Sequence, residues 1–242
     1  MRSDDIKINP SLNIPALAES YAANRFVQIE DFFAPETAVL IDRQLRGVLP
    51  WRFVYYDAAA GVVQLSQAEM QALGREGMQQ RMETILRQAQ RNIGYCYYTF
   101  SLGVAADHED AEGGLLSGLA AFLNSPAFLE FGSRIIRETG LTKTDAQASL
   151  FRPGHFLTRH IDQGSQNERR AAYTLGFSRN WQTDWGGQLQ FIDPHTTDVT
   201  GGWIPRWNTL NLFDGRQVHS VSPVSAFAGD GRYSVVGWLR ND

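Results

Sequence analysis

The sequence predicts an α+β fold with a mainly β core, in which helices come first and a compact double-sheet β unit follows. Before about residue 145, long stretches carry the periodicity and capping signals of helices. After it, short apolar runs are separated by Gly, Pro, Asn and Asp at the spacing of a β-sandwich or barrel. No linker interrupts the chain, so we expect one domain over 1–242, with 1–144 as mostly helical support with some strands and 145–240 as the core.

Three segments of the first half have helix signals. Residues 33–48 combine a proline near the start with an amphipathic pattern. Residues 65–93 begin with Ser66 followed by Glu69, which is a capping-box pattern, and Gly74 and Gly77 are weak points inside. Residues 125–140 have a serine cap, a proline at the first helical position and Gly140 as the predicted C-cap.

The remaining elements are predicted strands and one exposed loop. The loop spans residues 107–114, and strands are predicted at 25–33, 51–57 and 95–104. The second half contains eight strand-like runs, at residues 146–153, 155–162, 171–178, 186–193, 197–205, 209–214, 218–223 and 232–239.

Composition and charge exclude several classes of protein. The 242-residue chain has a net charge of −4 and no basic stripe, so we expect no nucleic-acid partner. Cys96 is the only cysteine, which excludes an intramolecular disulfide and fits a reducing compartment. The N-terminal segment has no apolar signal-peptide core, and no apolar run is long enough to cross a membrane. We therefore expect a cytoplasmic protein without a membrane partner.

The stretch GHFLTRHIDQGS contains the first candidate site residues. His160 and Asp162 are two residues apart, so in a continuous strand they share one face. Imidazole nitrogen and carboxylate oxygen suit a divalent first-row metal, especially Fe(II) when a second histidine completes the set. His219 lies 59 residues after His160 on another predicted strand and can supply that second imidazole.

A second polar pair lies on the last predicted strand. Arg232 and Ser234 are also two residues apart, and a guanidinium beside a hydroxyl suits a carboxylate. The neighbouring valines and Trp238 indicate a largely buried strand, where an arginine needs an anionic partner.

Together these residues resemble the Fe(II)/2-oxoglutarate-dependent dioxygenases, in particular the prolyl-4-hydroxylase-like branch. The resemblance covers roughly residues 145–240 and is carried in order by HFLTRHID, WGGQLQF, His219 and RYSVVGWL. It implies a double-stranded β-helix, or jelly roll, flanked by helices. It also implies that the iron ligands are His160, Asp162 and His219, and that Arg232 with Ser234 binds the distal carboxylate of 2-oxoglutarate.

The resemblance breaks at one position on the strand before Trp181. Members of the branch place a 2-oxoglutarate-binding tyrosine there, but this chain has Gly176, and Tyr173 is out of phase. Thr174 is the candidate that replaces part of this contact.

The implied activity is hydroxylation of an unactivated C–H bond with release of succinate and CO2. Fe(II), 2-oxoglutarate and O2 are the implied cofactor and co-substrates, with ascorbate as reductant. The leading substrate is a prolyl residue in a protein or peptide. The alternatives are a free amino acid or other small molecule, a cupin-type metalloenzyme that does not use 2-oxoglutarate, and a binding module without catalysis.

Other residues receive structural interpretations. We expect His155 to be a core or surface residue, His195 a turn residue and His108 a solvated residue of the acidic loop. Segments 57–64 and 163–170 are the candidates for mobile covers of the site.

Overall fold

The computed structural model describes residues 3–47, 49–91, 93–103 and 114–242. Its α-helices are α1 (Ile14–Asn24), α2 (Pro35–Arg46), α3 (Gln67–Ala89), α4 (Leu115–Leu123) and α5 (Pro126–Ile136). The first-half strands are β1 (Phe26–Ile29), β2 (Arg52–Asp57), β3 (Gly61–Leu65) and β4 (Tyr95–Ser101). The second-half strands are β5 (Lys143–Phe151), β6 (Phe156–His160), β7 (Arg169–Phe177), β8 (Leu189–Ile192), β9 (Val199–Trp203), β10 (Trp207–Asp214), β11 (His219–Val221) and β12 (Arg232–Arg240).

The strands form one curled antiparallel sheet, which confirms the predicted jelly-roll core. Their order is β1-β10-β7-β12-β5-β4-β6-β11-β8-β9, and the β2–β3 hairpin joins through β2 to β4. Strands distant in sequence are therefore neighbours: β12 lies between β5 and β7, and β11 lies between β6 and β8. The sheet curls into a half-barrel whose concave face is open to a cavity.

Two helical layers cover the outside of this sheet. Buried side chains of α1, α2, α4 and α5 pack against β1, β5, β7, β10 and β12 in the largest core cluster. A smaller cluster joins α3 to β2 and β4 through Phe53, Tyr55, Ile85, Cys96 and Phe156. None of the helices in the described ranges has the length and apolar character that a membrane crossing needs.

The predicted helix starts follow the capping signals, and one predicted end is wrong. Ser66 accepts from the Glu69 N–H at 3.3 Å while the Glu69 carboxylate accepts from the Ser66 N–H at 2.7 Å, and the helix kinks at Gly74. α5 ends at Ile136 and its C-cap is Arg137, which takes the left-handed conformation at φ 56°, so Gly140 is not the C-cap.

All eight strands predicted after residue 145 are present, but three elements were not predicted. They are α1, β3 and α4. The predicted cover at 57–64 is the turn and most of β3 in the β2–β3 hairpin. Val48, Asn92 and residues 104–113, which include His108 and most of the predicted loop, lie outside the described residues.

Candidate active site

Adjacent strands β6 and β11 bring the three predicted metal-site residues together. His160 and His219 are registered partners, so their imidazoles meet with ring centroids 4.1 Å apart. β6 ends at His160, so Asp162 lies beyond the strand. The prediction that one continuous strand places His160 and Asp162 on the same face is therefore wrong. Instead the Asp162 N–H donates to the Gly215 carbonyl at 2.7 Å, and this bond fixes the backbone that carries the carboxylate.

The three side chains are close enough to hold one ion. Nε2 of His219 lies 3.3 Å from Oδ2 of Asp162, and Nε2 of His160 lies 3.5 Å from Oδ1. All three candidate donor atoms lie within 4.8 Å of one another. Two imidazoles and one carboxylate on one side of an ion leave the other side open, which is the arrangement of non-haem Fe(II) oxygenases.

Backbone carbonyls fix the tautomer of both histidines. His160 Nδ1 lies 3.0 Å from the Thr158 carbonyl oxygen, and His219 Nδ1 lies 2.9 Å from that of Gln217. A carbonyl can only accept, so each Nδ1 carries the proton and each Nε2 presents its lone pair toward the cluster.

Burial and charge keep this cluster in the protonation state that a cation needs. Burial lowers the pKa of His160, and the neighbouring His219 lowers it further, so the neutral imidazole is favoured. Burial opposes ionisation of Asp162, but the two histidines more than offset it and lower the pKa of the carboxyl. These shifts favour a neutral imidazole at His160 and an ionised carboxylate at Asp162 at neutral pH.

A cavity of about 460 Å³ opens beside the cluster on the concave face. His160, Asp162 and His219 form part of its wall, and Arg232 lies in the same wall. Most of its lining surface is apolar, as expected of a small-molecule pocket with a few polar groups. The cavity therefore has room for a co-substrate next to the ion site.

Arg232 is a buried cation without an anionic partner among the described residues. It is 5% exposed, its Nε has no hydrogen-bond partner, its Nη1 donates to the Ser234 hydroxyl at 3.5 Å, and its guanidinium carbon lies 5.1 Å from the centre of the Phe151 ring. Burial lowers the pKa of Arg232 to about 10, which leaves it charged at neutral pH. An isolated buried guanidinium is costly, so this wall of the cavity suits an anion such as a carboxylate.

Ser149 and Tyr97 contact the two residues that Arg232 itself contacts, Ser234 and Phe151. The Ser234 hydroxyl is 2.8 Å from that of Ser149 on β5. Tyr97 on β4 stacks on Phe151 with ring centroids 4.8 Å apart, and burial raises its pKa to about 12. The sequence analysis missed Tyr97, although the alternation in YCYYTF could have placed it opposite the buried Cys96.

Residues Thr174 and Tyr173 both border the cavity, and the Tyr173 side chain also packs in the core. Thr174 is on β7 beside Val236 of β12. The Tyr173 hydroxyl donates to the Asp145 carbonyl at 2.8 Å, and its ring packs on Phe128. The out-of-phase placement of Tyr173 agrees with the sequence, and a Thr174 contact to 2-oxoglutarate stays a prediction.

Residues Arg169 and Trp238 form a second polar corner of the cavity. The Arg169 guanidinium carbon lies 3.9 Å from the centre of the Trp238 ring, and both residues line the cavity. Arg169 Nε and Trp238 Nε1 are buried and make no hydrogen bond of normal geometry, and the Trp238 indole also lies near the Asp162 carboxyl, whose pKa it helps to lower. The sequence analysis assigned them no role, because neither belongs to a polar pair on one strand face.

The other described histidines lie apart from the cluster. His155 is buried between Phe53 and Tyr98, with ring centroids 5.6 and 5.3 Å away. The exposed His195 is in a turn, where its N–H donates to the Asp193 carboxylate at 2.8 Å. Neither takes part in the metal-site cluster found among the described residues.

Fold and site together define a jelly-roll protein with a candidate metal site of two histidines and one carboxylate. Residues 146–240 match the family model of the 2OG-Fe(II) oxygenase superfamily. The matched residues include His160, Asp162, His219 and Arg232, so the match agrees with the Fe(II)/2-oxoglutarate-dependent dioxygenase that the site residues predict. The family implies Fe(II), 2-oxoglutarate and O2, and the histidine and carboxylate donors fit the metal while the unpaired Arg232 fits the co-substrate.

Solved structures similar to this chain include prolyl hydroxylases. A Pseudomonas putida prolyl-4-hydroxylase is 16% identical with a TM-score of 0.57, covering 98% of both chains. A Burkholderia pseudomallei oxidoreductase of the 2OG-Fe(II) oxygenase family is 14% identical with a TM-score of 0.62, covering 98% of this chain and 94% of the other. A Trichoplax adhaerens prolyl hydroxylase, solved with a hypoxia inducible factor peptide fragment, is 18% identical with a TM-score of 0.60, covering 94% and 89%.

At these identities the likeness concerns the fold. No curated protein matched the chain.

Proposed function

We propose that the protein hydroxylates a prolyl residue in a protein or peptide, using Fe(II) and 2-oxoglutarate. The observation that carries this proposal is the cavity beside the His160, Asp162 and His219 cluster. Arg232 lies in one wall, and the Arg169–Trp238 pair forms another corner. The cavity thus offers one binding position for a dicarboxylate, at Arg232, and a separate polar binding position for a substrate, at Arg169 and Trp238.

The chain's own residues hold and orient the reactants. His160, Asp162 and His219 would hold the iron, whose bound form supplies oxidation of the substrate C–H bond coupled to conversion of 2-oxoglutarate to succinate and CO2. Arg232 and Ser234 would hold the far carboxylate of 2-oxoglutarate. Phe151, Leu157 and Val221 line the cavity with apolar surface and limit water there.

A peptidyl proline matches the chemistry of the Arg169–Trp238 corner. The proline ring is apolar and has no N–H, so it needs apolar or aromatic walls rather than acceptors. Tyr95 and Val62 line this cavity with Trp238. The flanking peptide carbonyls are acceptors, which the unpartnered Nε of Arg169 and Nε1 of Trp238 can satisfy. Two of the similar structures are prolyl hydroxylases, one of them with a peptide.

The first test is succinate formation by the purified, Fe(II)-loaded protein given 2-oxoglutarate, ascorbate and O2. We expect slow turnover without substrate that disappears in Asp162→Ala and falls in Arg232→Ala. Prolyl peptides should accelerate it and gain the mass of one oxygen atom. Succinate that never depends on a prolyl peptide would contradict the prolyl assignment, and no 2-oxoglutarate binding at all would contradict the co-substrate.

A free amino acid is the second candidate substrate, favoured by one observation. The unpartnered Arg169 Nε also suits the carboxylate of a small substrate. Free proline and a blocked prolyl peptide distinguish the two, because the blocked peptide offers only carbonyl acceptors.

The ascorbate requirement and the cytoplasmic location stay predictions. Turnover measured without ascorbate tests the first, and cell fractionation tests the second.

A further inference from the structure

The turn between β10 and β11 supports two of the three residues of the metal-site cluster. Its Gly215 carbonyl accepts from the Asp162 N–H at 2.7 Å. Its Gln217 carbonyl accepts from His219 Nδ1 at 2.9 Å. One turn of the backbone thus orients the carboxylate and one imidazole together.

A buried carboxylate, Asp214, fixes this turn from behind. Its backbone carbonyl accepts from the Gln217 N–H at 3.0 Å. Its Oδ1 accepts from the Arg216 N–H at 2.9 Å and from Arg216 Nε at 3.0 Å, and its Oδ2 accepts from Arg216 Nη2 at 2.7 Å. The carboxylate therefore bonds both the backbone and the side chain of the turn.

Arg25 ties the same carboxylate to the helical layer. Its Nε and Nη2 donate to Asp214 Oδ2 at 3.1 and 2.5 Å, and its carbonyl accepts from the Asp214 N–H at 2.9 Å. The Asp214 side chain is only 6% exposed. Burial alone would raise the pKa of Asp214, but the hydrogen bonds from Arg216 and Arg25 lower it well below its usual range.

The turn has no room to shift against the segment that carries Asp162. A Cβ on Gly215 would lie 2.7 Å from the Arg169 carbonyl oxygen and 3.5 Å from the Asp162 carbonyl carbon. A displacement of the turn therefore moves the backbone of Asp162 as well as the acceptor for His219.

We propose that Asp214 is a positioning residue of the metal centre: held by Arg25 and Arg216, it sets the β10–β11 turn that orients Asp162 and His219. This inference rests on the proposed metal site. Outer groups that orient metal-binding side chains typically contribute 10- to 100-fold in affinity, although they never touch the ion. Asp214 does not bond to Asp162 or His219 directly. It acts through the backbone of the β10–β11 turn, whose carbonyls accept from both residues.

The test is a calorimetric titration of the metal-free protein with Co(II), with the visible Co(II) absorption recorded as a report of geometry. We expect Asp214→Asn to weaken Co(II) binding about 10-fold and to change the absorption band. Asn keeps the size and one acceptor oxygen but loses the charge that holds two guanidinium groups.

Asp42→Asn is the matched control. Asp42 on α2 is also buried and also accepts from two arginines, with Arg46 Nε at 2.8 Å and Arg179 Nε at 3.1 Å, but it does not line the cavity. Both variants should lower the melting temperature, and only Asp214→Asn should weaken the metal site. Equal Co(II) affinities in the two variants would overturn the inference.

Arg25→Met keeps the inference testable if Asp214→Asn does not fold. Its side chain is 41% exposed, so its removal leaves the core intact. We expect a smaller loss of Co(II) affinity in the same direction, and unchanged affinity would contradict the inference. Absence of Co(II) binding by the wild-type protein would instead refute the metal centre itself, and the inference with it.

Discussion

His160 and His219 are registered partners across the antiparallel strands β6 and β11, and their rings meet 4.1 Å apart. Their contact depends on the pairing of two strands that are far apart in sequence. Both imidazoles also carry the Nδ1 proton on a backbone carbonyl, so the two Nε2 atoms face the same point with Asp162. The consequences of this geometry can be tested one residue at a time.

The His160→Ala variant should lose most Fe(II) affinity and all turnover. The loss should exceed the 10- to 100-fold that removal of an outer partner typically causes, because a donor atom itself is missing. Calorimetric titration with Co(II) and succinate formation measure the two effects. His195→Ala, in an exposed turn, is the control and should change neither. Retained 2-oxoglutarate consumption by His160→Ala would mean that His160 is not one of the metal ligands.

The Arg232→Met variant should stabilise the ligand-free protein while weakening 2-oxoglutarate binding. Replacing a buried, unpaired guanidinium by an apolar chain removes a desolvation cost, so we expect a gain of about 1–2 kcal/mol in the free energy of unfolding. Loss of the carboxylate partner should weaken 2-oxoglutarate binding by about 2 kcal/mol or more, which is about 30-fold. Urea denaturation and calorimetry with Mn(II) in place of Fe(II) measure these changes.

The control for Arg232 is Arg159→Met on β6, whose side chain is exposed. It should leave 2-oxoglutarate affinity unchanged. Saturating 2-oxoglutarate should also raise the melting temperature of the wild-type protein and not that of Arg232→Met, because only a ligand that binds the folded state stabilises it. A variant that loses stability and keeps its affinity would contradict the proposed role of Arg232.

The ordered motifs of the second half made the site predictable, because each strand there is short and well punctuated. His160, Asp162, His219 and Arg232 line one cavity and Ser234 contacts Arg232, while their roles as iron and 2-oxoglutarate ligands stay predictions. Sequence spacing could not show that β6 ends before Asp162, because the bond to Gly215 comes from a turn more than fifty residues away. The hydrogen bonds from Arg25 to Asp214 could not be predicted for the same reason, because the two residues are far apart in the sequence.

The elements that the sequence did not predict are those without a local signal. α4 is an almost uniformly apolar run, which has no face periodicity to identify it as a helix. Tyr97 belongs to the cavity only because β4 pairs with β5 and β6, and this register is set by tertiary contacts. The Arg169–Trp238 corner likewise depends on the pairing of β7 with β12.

The Trp238→Phe variant should raise the KM for a prolyl peptide more than it lowers kcat. Phenylalanine keeps an aromatic wall but removes the unpartnered indole N–H, and a hydrogen bond of about 0.5–1.5 kcal/mol corresponds to a rise of about 2- to 12-fold. Trp203→Phe, on β9 and outside the cavity lining, is the control. A fall in kcat at constant KM would contradict a substrate-binding role.

Acidification should destabilise the fold through His155. Burial lowers the pKa of His155 to about 4, against about 6.5 in an unfolded chain. Between these values the unfolded state binds more protons, so stability falls as pH drops through that window, by at most about 3 kcal/mol. Urea denaturation of wild type and His155→Phe from neutral pH to about pH 4 measures the effect. The variant should show a shallower decline, and parallel declines would mean that other groups dominate.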